Sequence, residues 1–355
     1  MTVTVEQNWG RNLTVGVEEE LMLLDAETLQ QVGKADVIVE AARPKRGEAK
    51  YELFASVVEL ATDICSDADD AAEEIRDLRR HAQRIVGENG LALAAAGTHP
   101  TSISAEQEIA PDPRYAKFVA YAGQTARRQG VNGLHVHIGM PDADTCLRAM
   151  ENVVPWLPVV LAVSANSPWF EGHDTGMMST RAEVLSLLPR HGAPPRFESW
   201  AEWERLVDAF CAAGVVTDYN AIHWDMRPHP KHGTLEIRIA DQPTDIAHTA
   251  AFVTVLRALC AWGTERDLPA ADSLKRVVYD QNRWAAARFG PRATLVHPEG
   301  KGGVTVAELW HELLGQIGVD PGLDVSACEG DTQLQVGRTD GLDAVTADLV
   351  ARSVA

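Results

Sequence analysis

GLHVHIGM, residues 133–140, alternates without a break. Leu134, Val136, Ile138 and Met140 fall on one side of an extended chain, and His135, His137 and Gly139 on the other, because successive strand side chains point to opposite faces. TLEIRIA, residues 234–240, repeats the design with Leu235, Ile237 and Ile239 against Glu236 and Arg238. In TVGVEEELMLL, residues 14–24, Gly16, Glu18, Glu20 and Met22 share one face, while Val15, Val17, Leu21 and Leu23 share the other with Glu19. Strands with one apolar and one polar face predict an antiparallel sheet covered by helices on one side. The fold class expected is α+β.

Between these strands the periodicity turns helical. Residues 67–86 carry Ile75, Leu78, Ala82 and Ile85 as a stripe, with Ser66 placed to cap. Helices are also expected over 152–165, 200–213, 245–262, 272–289 and 304–317, a buried strand over 91–96, and a long loop over 166–180. The stretch 51–63, YELFASVVELATD, reads as helix or strand and places Glu52 and Glu59 in an apolar run. The apolar stretch around 153–163 is broken by Pro155 and Pro158, so no membrane span is expected, and the first twelve residues lack signal-peptide character.

Composition narrows the function. Of 355 residues, 51 are acidic and 32 basic, a net charge of −19, which argues against a general nucleic-acid surface. Five cysteines are dispersed without a C-x-x-C pair, as expected for free thiols in a reducing compartment. A soluble cytoplasmic enzyme follows as the expectation.

The chemistry lies on the polar strand faces. Glu18 and Glu20 share one strand, His135 and His137 a second, Glu236 and Arg238 a third. Singly, each is commonplace: a strand glutamate is usually solvated, and Glu-x-Arg is usually an ion pair. Several strands repeating the pattern point instead to a divalent cation, because half-buried carboxylates need a charge partner, and carboxylates with imidazole suit Mg²⁺ or Mn²⁺. HWDMRPHPKH, residues 223–232, adds Arg227 and Lys231, and Arg181 follows a glycine- and serine-containing loop; guanidinium groups bind phosphate or carboxylate in fixed geometry. The sequence has no P-loop, no G-x-G-x-x-G after a strand and no G-x-S-x-G elbow. Any nucleotide must then be held by metal and side chains.

These segments, with ELFASVVELAT (52–62), AGTHP (96–100), VSANSPWFEGHDTGMMSTR (163–181), WDMRPHPKHGTLEIRIAD (224–241) and NRWAAARFG (282–290), resemble the bacterial type-2 glutamate–cysteine ligases, the carboxylate–amine ligase branch. The resemblance runs over residues 14–290. It implies a glutamine-synthetase-like catalytic fold, with a curved antiparallel sheet whose concave face holds ATP, metal and the acid substrate. It implies a catalytic domain over 1–290 and a helical tail over 291–355 packed on it. By position it implies a metal-ligand set of Glu18, Glu20, Glu52, Glu59, His135 and Glu236. Arg238 and Arg181 are implied as catalytic, and Arg227, Lys231, Arg283 and Arg288 as nucleotide-binding; His137 is as readily structural. Cofactors would be ATP and Mg²⁺ or Mn²⁺. Substrates would be small amino acids and amines, with glutamate and cysteine giving γ-glutamylcysteine through an acyl phosphate. A homodimer is also implied, and neither nucleic acid nor membrane is an expected partner. The alternatives are the same chemistry on another acid–amine pair, a non-catalytic relative, or a metal-dependent hydrolase suggested by His135-x-His137.

Overall fold

The computed structural model describes residues 6–41, 43–272 and 274–353. Residues 1–5, part of the segment read above for signal character, and Ser273, inside the expected 272–289 helix, lie outside the described residues.

Seven strands form one sheet: β1 (Val15–Asp25), β2 (Glu48–Tyr51), β3 (Val57–Ala61), β4 (Leu91–Ala94), β5 (Leu134–Gly139), β6 (Met226–His229) and β7 (Thr234–Ile237). Their order is β6-β7-β5-β1-β3-β2, with β4 on the far half of β1, and every pairing is antiparallel. The ambiguous stretch 51–63 is strand at both ends, in β2 and β3. β6 falls where the sequence suggested only a basic segment. Its Pro228 hides the strand pattern, and lacking an N–H it is tolerated because β6 is an edge.

The helices among the described residues include α1 (Ala68–Glu88), α2 (Ala143–Val153), α3 (Leu157–Ser164), α4 (Thr180–Leu185), α5 (Trp200–Ala212), α6 (Ile246–Thr264), α7 (Leu274–Phe289), α8 (Val306–Ile317), α9 (Glu329–Asp340) and α10 (Leu342–Arg352). The cap of α1 is Asp67, which accepts from the Asp70 N–H, and not Ser66. α2 starts nine residues before the expected 152, where Asp142 accepts from the Thr145 N–H. Pro155 and Pro158 do not break the apolar stretch. Each occupies a first-turn position, where a missing N–H costs nothing. Helical residues therefore run from 143 to 164, and this stretch and α6 have the length and apolarity of membrane spans by composition. In this fold they are core helices, 83% and 56% buried respectively.

The apolar faces of β1, β5 and β7 bury Val17, Val136, Ile138 and Leu235 against α2, α3 and α6. α1 covers the rest of that side, laying Leu78, Ala82 and Ile85 on Leu21, Leu23, Val58 and Leu60. The other face changes character along β1. Beyond Glu20 it turns apolar at Met22 and Leu24, and there Leu334 of α9 and Val345 and Leu349 of α10 join the same cluster.

Glu19 is the exception on the covered side. Strand geometry drives it into the core, where it is 0% exposed. Arg79 of α1 meets it with two bonds, Nη2 to Oε1 at 2.6 Å and Nε to Oε2 at 2.7 Å. Gln242 Nε2 and Thr249 Oγ1 donate to the same Oε1, and the remaining Arg79 donors reach the carbonyls of Pro243, Thr244 and Ser353. Removing one partner of such a pair strands a buried charge. Arg79→Leu should therefore lower stability by about 3–5 kcal/mol in urea denaturation. Pairing it with Glu19→Leu should recover most of that loss; equal stability of Arg79→Leu and the unmodified protein would refute the assignment.

Candidate active site

Register assembles the polar face. Across β1 and β3, Glu20 lies opposite Glu59; across β1 and β5, Glu18 lies opposite His135. Across β5 and β7, His137 lies opposite Glu236, and across β7 and β6, Glu236 lies opposite Arg227. Lys50 of β2 lies opposite Glu59 and brings Nζ to 3.4 Å from its Oε1. Residues far apart in sequence thus form one continuous ionisable band.

Within the band, His135 Nδ1 is 3.3 Å from Glu18 Oε2 and its Nε2 is 3.7 Å from Glu20 Oε1. His137 Nε2 lies 3.7 Å from Glu18 Oε1 and 3.9 Å from Glu236 Oε1, while its Nδ1 contacts Thr234 Oγ1 at 3.0 Å. Glu18, His137 and Glu236 offer ligand atoms that all lie within 4.8 Å of one another. His137 is therefore a better candidate ligand than the sequence suggested. Its Thr234 contact orients the ring, as supporting hydrogen bonds do for metal-binding imidazoles.

The carboxylates divide electrostatically into two groups. Burial acts to raise both Glu18 and Glu236. Hydrogen bonds from His135 and His137 outweigh it at Glu18, and the charges of Arg227 and Arg238 outweigh it at Glu236; both end well below the usual carboxylate range. Glu59 goes the other way: burial, then the charges of Glu18 and Glu52, push it well above. Burial and the Glu20 charge carry Glu52 up to about 7. Burial also raises Glu20, against Arg181, the Gly133 N–H and Arg238. Burial and the Arg238 charge depress His135 to about 4, leaving a neutral imidazole able to coordinate. One end of the band is thus charge-compensated, whereas Glu20, Glu52 and Glu59 have more negative charge than their surroundings neutralise. Those residues fit a hard divalent cation.

The arginines separate by what they touch. Arg238 directs Nη1 to Glu236 and faces the band. Arg227 is spent holding Glu236, through Nε at 2.5 Å, and the carbonyls of Asn220 and Ile222. Arg181 is 3% exposed and donates to the carbonyls of Arg238 and Ile239, beneath Gly133, where a Cβ would clash with its Nη2. Arg283 makes a paired contact with Asp225, which also accepts from Tyr279 Oη. Arg288 bonds the Gly176 carbonyl in a separate cavity. Lys231 is exposed in the turn between β6 and β7. The structure therefore brings together Glu18, Glu20, Glu52, Glu59, His135, Glu236 and Arg238. It does not bring Arg181, Arg283, Arg288 or Lys231 into open contact with them: burial and prior hydrogen bonds commit Arg181 and Arg283 elsewhere, Arg288 lines a separate cavity, and Lys231 sits in an exposed turn.

Comparison with solved structures gives the class. The chain superposes on the glutamate–cysteine ligase of Francisella tularensis, solved in complex with AMP, with a TM-score of 0.71 at 12% identity, covering 98% of this chain and 89% of that one. A bifunctional glutathione synthetase from Pasteurella multocida follows at 0.67 and 15%, covering 96% and 52%. At these identities the likeness is one of fold alone: an α+β architecture. Sequence gives the family. The profile described as glutamate-cysteine ligase family 2 matches residues 14–326. A Rubrobacter xylanophilus protein provisionally named glutamate–cysteine ligase 2-3 is 38% identical over 306 residues, 86% of this chain and 83% of its own. A Solibacter usitatus protein provisionally named glutamate–cysteine ligase 2 is 36% identical over 283 residues, 79% and 74%. The chain belongs to glutamate–cysteine ligase family 2 and is a ligase. The barrel form of the hydrolase alternative, which needs alternating parallel strands and helices, does not match this antiparallel sheet.

The charge imbalance at Glu52 has a pH signature. Its pKa near 7 in the folded chain, against about 4.3 unfolded, means the native state binds the extra proton between those values. Stability of the metal-free protein should therefore fall as pH rises through that window. Glu52→Gln should remove this contribution, so its stability advantage in urea should widen from pH 5 to pH 7; a constant gap would contradict the shifted carboxyl. Independently, Gly133→Ala should cost about 1–3 kcal/mol through its clash with Arg181. Gly315→Ala, which meets nothing within 4 Å, should be neutral or stabilising.

Proposed function

We propose that the chain is an ATP-dependent carboxylate–amine ligase acting through an acyl phosphate, with glutamate as the acid and cysteine as the amine. The observation that carries this reading is the cross-strand register that gathers Glu18, Glu20, Glu59, His135, His137 and Glu236 on one half-buried face with Arg238. Family membership supports the chemistry, and the AMP complex of the Francisella relative supports a nucleotide on this kind of fold. The five cysteines, all free thiols, support a reducing compartment such as the cytoplasm.

A carboxylate does not react with an amine directly, because oxide is too poor a leaving group. In the proposed reaction a γ-carboxylate oxygen attacks the γ-phosphorus of ATP and ADP leaves, forming an acyl phosphate. The unprotonated amine then attacks the acyl carbon, inorganic phosphate departs with the C–O bonding pair, the nitrogen gives up one proton to the departing phosphate, and an amide remains. Mg²⁺ or Mn²⁺ would be held by Glu18, His137 and Glu236 and by the Glu20, Glu52 and Glu59 group, with His135 between them; bound there it would neutralise phosphate charge. Arg238, which faces the band, would meet the transferring phosphate or the substrate carboxylate. Arg227 would act through Glu236, fixing its carboxylate so that Arg238 and the imidazoles keep their places. Arg181 would support the chain just past β7 from beneath.

The deciding experiment is ADP formation from Mg²⁺-ATP with glutamate, screened against amino acids and simple amines, with products identified by mass spectrometry. γ-Glutamylcysteine formed well above every other amide is the expected result. Turnover with another pair would replace the substrates and keep the mechanism; no ADP with any pair in folded protein would overturn the reading. Glu18→Gln should fold and lower kcat by at least about 100-fold, the scale of losing one preorganised charge contact. Arg238→Lys should cost about tenfold or more despite retaining charge, since the planar fork is lost.

A further inference from the structure

We propose that a second cavity, outside the ionisable band, binds a small phosphate-bearing anion. The cavity has a volume of about 510 Å³, within the range of small-molecule sites, roughly 300–1,000 Å³. None of the band's carboxylates or histidines lines it. Its arginines come from two stretches distant in sequence: Arg288 at the end of α7 with Arg292 in the turn just after it, and Arg338 on α9.

These guanidinium groups are anchored but not saturated. Arg288 Nη1 donates to the Gly176 carbonyl. Arg292 Nη1 pairs with Asp331 Oδ1 at 2.5 Å, and its Nη2 contacts the Met178 sulfur at 3.1 Å. Arg338 Nη2 pairs with Asp174 Oδ2 at 3.1 Å. Each guanidinium carries five N–H donors, so most remain for a ligand. Three arginines against two aspartates leave the lining net positive in a chain whose formal charge is −19. Anchored guanidinium groups converging on one hollow suit the tetrahedral oxygens of phosphate, which accept several charge-assisted hydrogen bonds at once.

The lining also has an apolar part: Met177, Leu334 and the partly exposed ring of Phe289. A phosphate ester with an organic body therefore fits better than a bare ion. Leu334 ties the cavity to the sheet, since it belongs to the same buried cluster as Met22 and Leu24, the residues that follow Glu20 on the polar side of β1. The cavity shares no residue with the band, but Arg288 is among the residues the family resemblance implies for nucleotide, and the calorimetric test separates binding here from binding at the sheet.

The test is calorimetric titration of pyrophosphate into the full chain at low salt with EDTA present, which removes metal-mediated binding at the band. Arg338→Ala and Arg292→Ala change side chains that are 62% and 55% exposed, so the fold should survive, as near-ultraviolet circular dichroism would verify. The expected result is saturable one-site binding, weakened at least tenfold by either change and unaltered by Arg238→Lys. A phosphate monoester of a nucleoside should bind more tightly than inorganic phosphate if the apolar lining contributes. Absence of binding, affinity in Arg338→Ala and Arg292→Ala unchanged from the unmodified protein, or loss in Arg238→Lys, which would place the anion on the sheet, would each overturn the proposal.

Discussion

The buried pair of Glu19 and Arg79 fixes everything built on β1. Three consecutive glutamates cannot all face one side of a strand, so presenting Glu18 and Glu20 to the open face forces Glu19 into the core. An unpaired carboxylate there would be costly enough to shift the register or the protonation state. Arg79, with Gln242 and Thr249, makes that burial tolerable. The same contacts join α1, the loop before α6 and the end of α10 to the central strand. A one-residue slip would place Glu19 on the polar face and bury Glu18 and Glu20, so the pair also specifies register.

With β1 fixed, pairing does the rest. Each neighbouring strand brings its ionisable residues opposite those of the next, and the band grows outward from Glu18 and Glu20 to Lys50 on one side and Arg227 on the other. Charge is balanced near Glu236, where two arginines and two imidazoles converge, and unbalanced near Glu59, where carboxylates outnumber their single lysine. An enzyme that must receive a polyphosphate needs such asymmetry. In the proposed reaction, the carboxylates that would hold a cation and the guanidinium that would meet phosphate stand at neighbouring places on one rigid surface.

Much of this was legible in the sequence where a period of two governed the pattern. Residues 133–140 and 234–240 gave their faces directly, and the register of the fold put those faces side by side. Three features were hidden for physical reasons. Pro228 masked an edge strand that needs no N–H there. Pro155 and Pro158 looked like breaks, although helix first turns accept them. Arginine roles could not be read from spacing: Arg181, Arg227 and Arg283 differ from Arg238 only in which carbonyls and carboxylates the folded chain brings to them. The grouping of His137 with Glu18 and Glu236 could not be read from spacing, because those residues come from two other strands, although its shared face with His135 was a usable signal.

The account rests on the polar face being a divalent-cation site, and anomalous diffraction from crystals soaked in Mn²⁺ tests that most directly. Peaks among Glu18, His137 and Glu236 and beside Glu20, Glu52 and Glu59, lost from the first position in Glu18→Gln, are the predicted result. Mn²⁺ bound only elsewhere on the acidic surface, with this face empty, would contradict it.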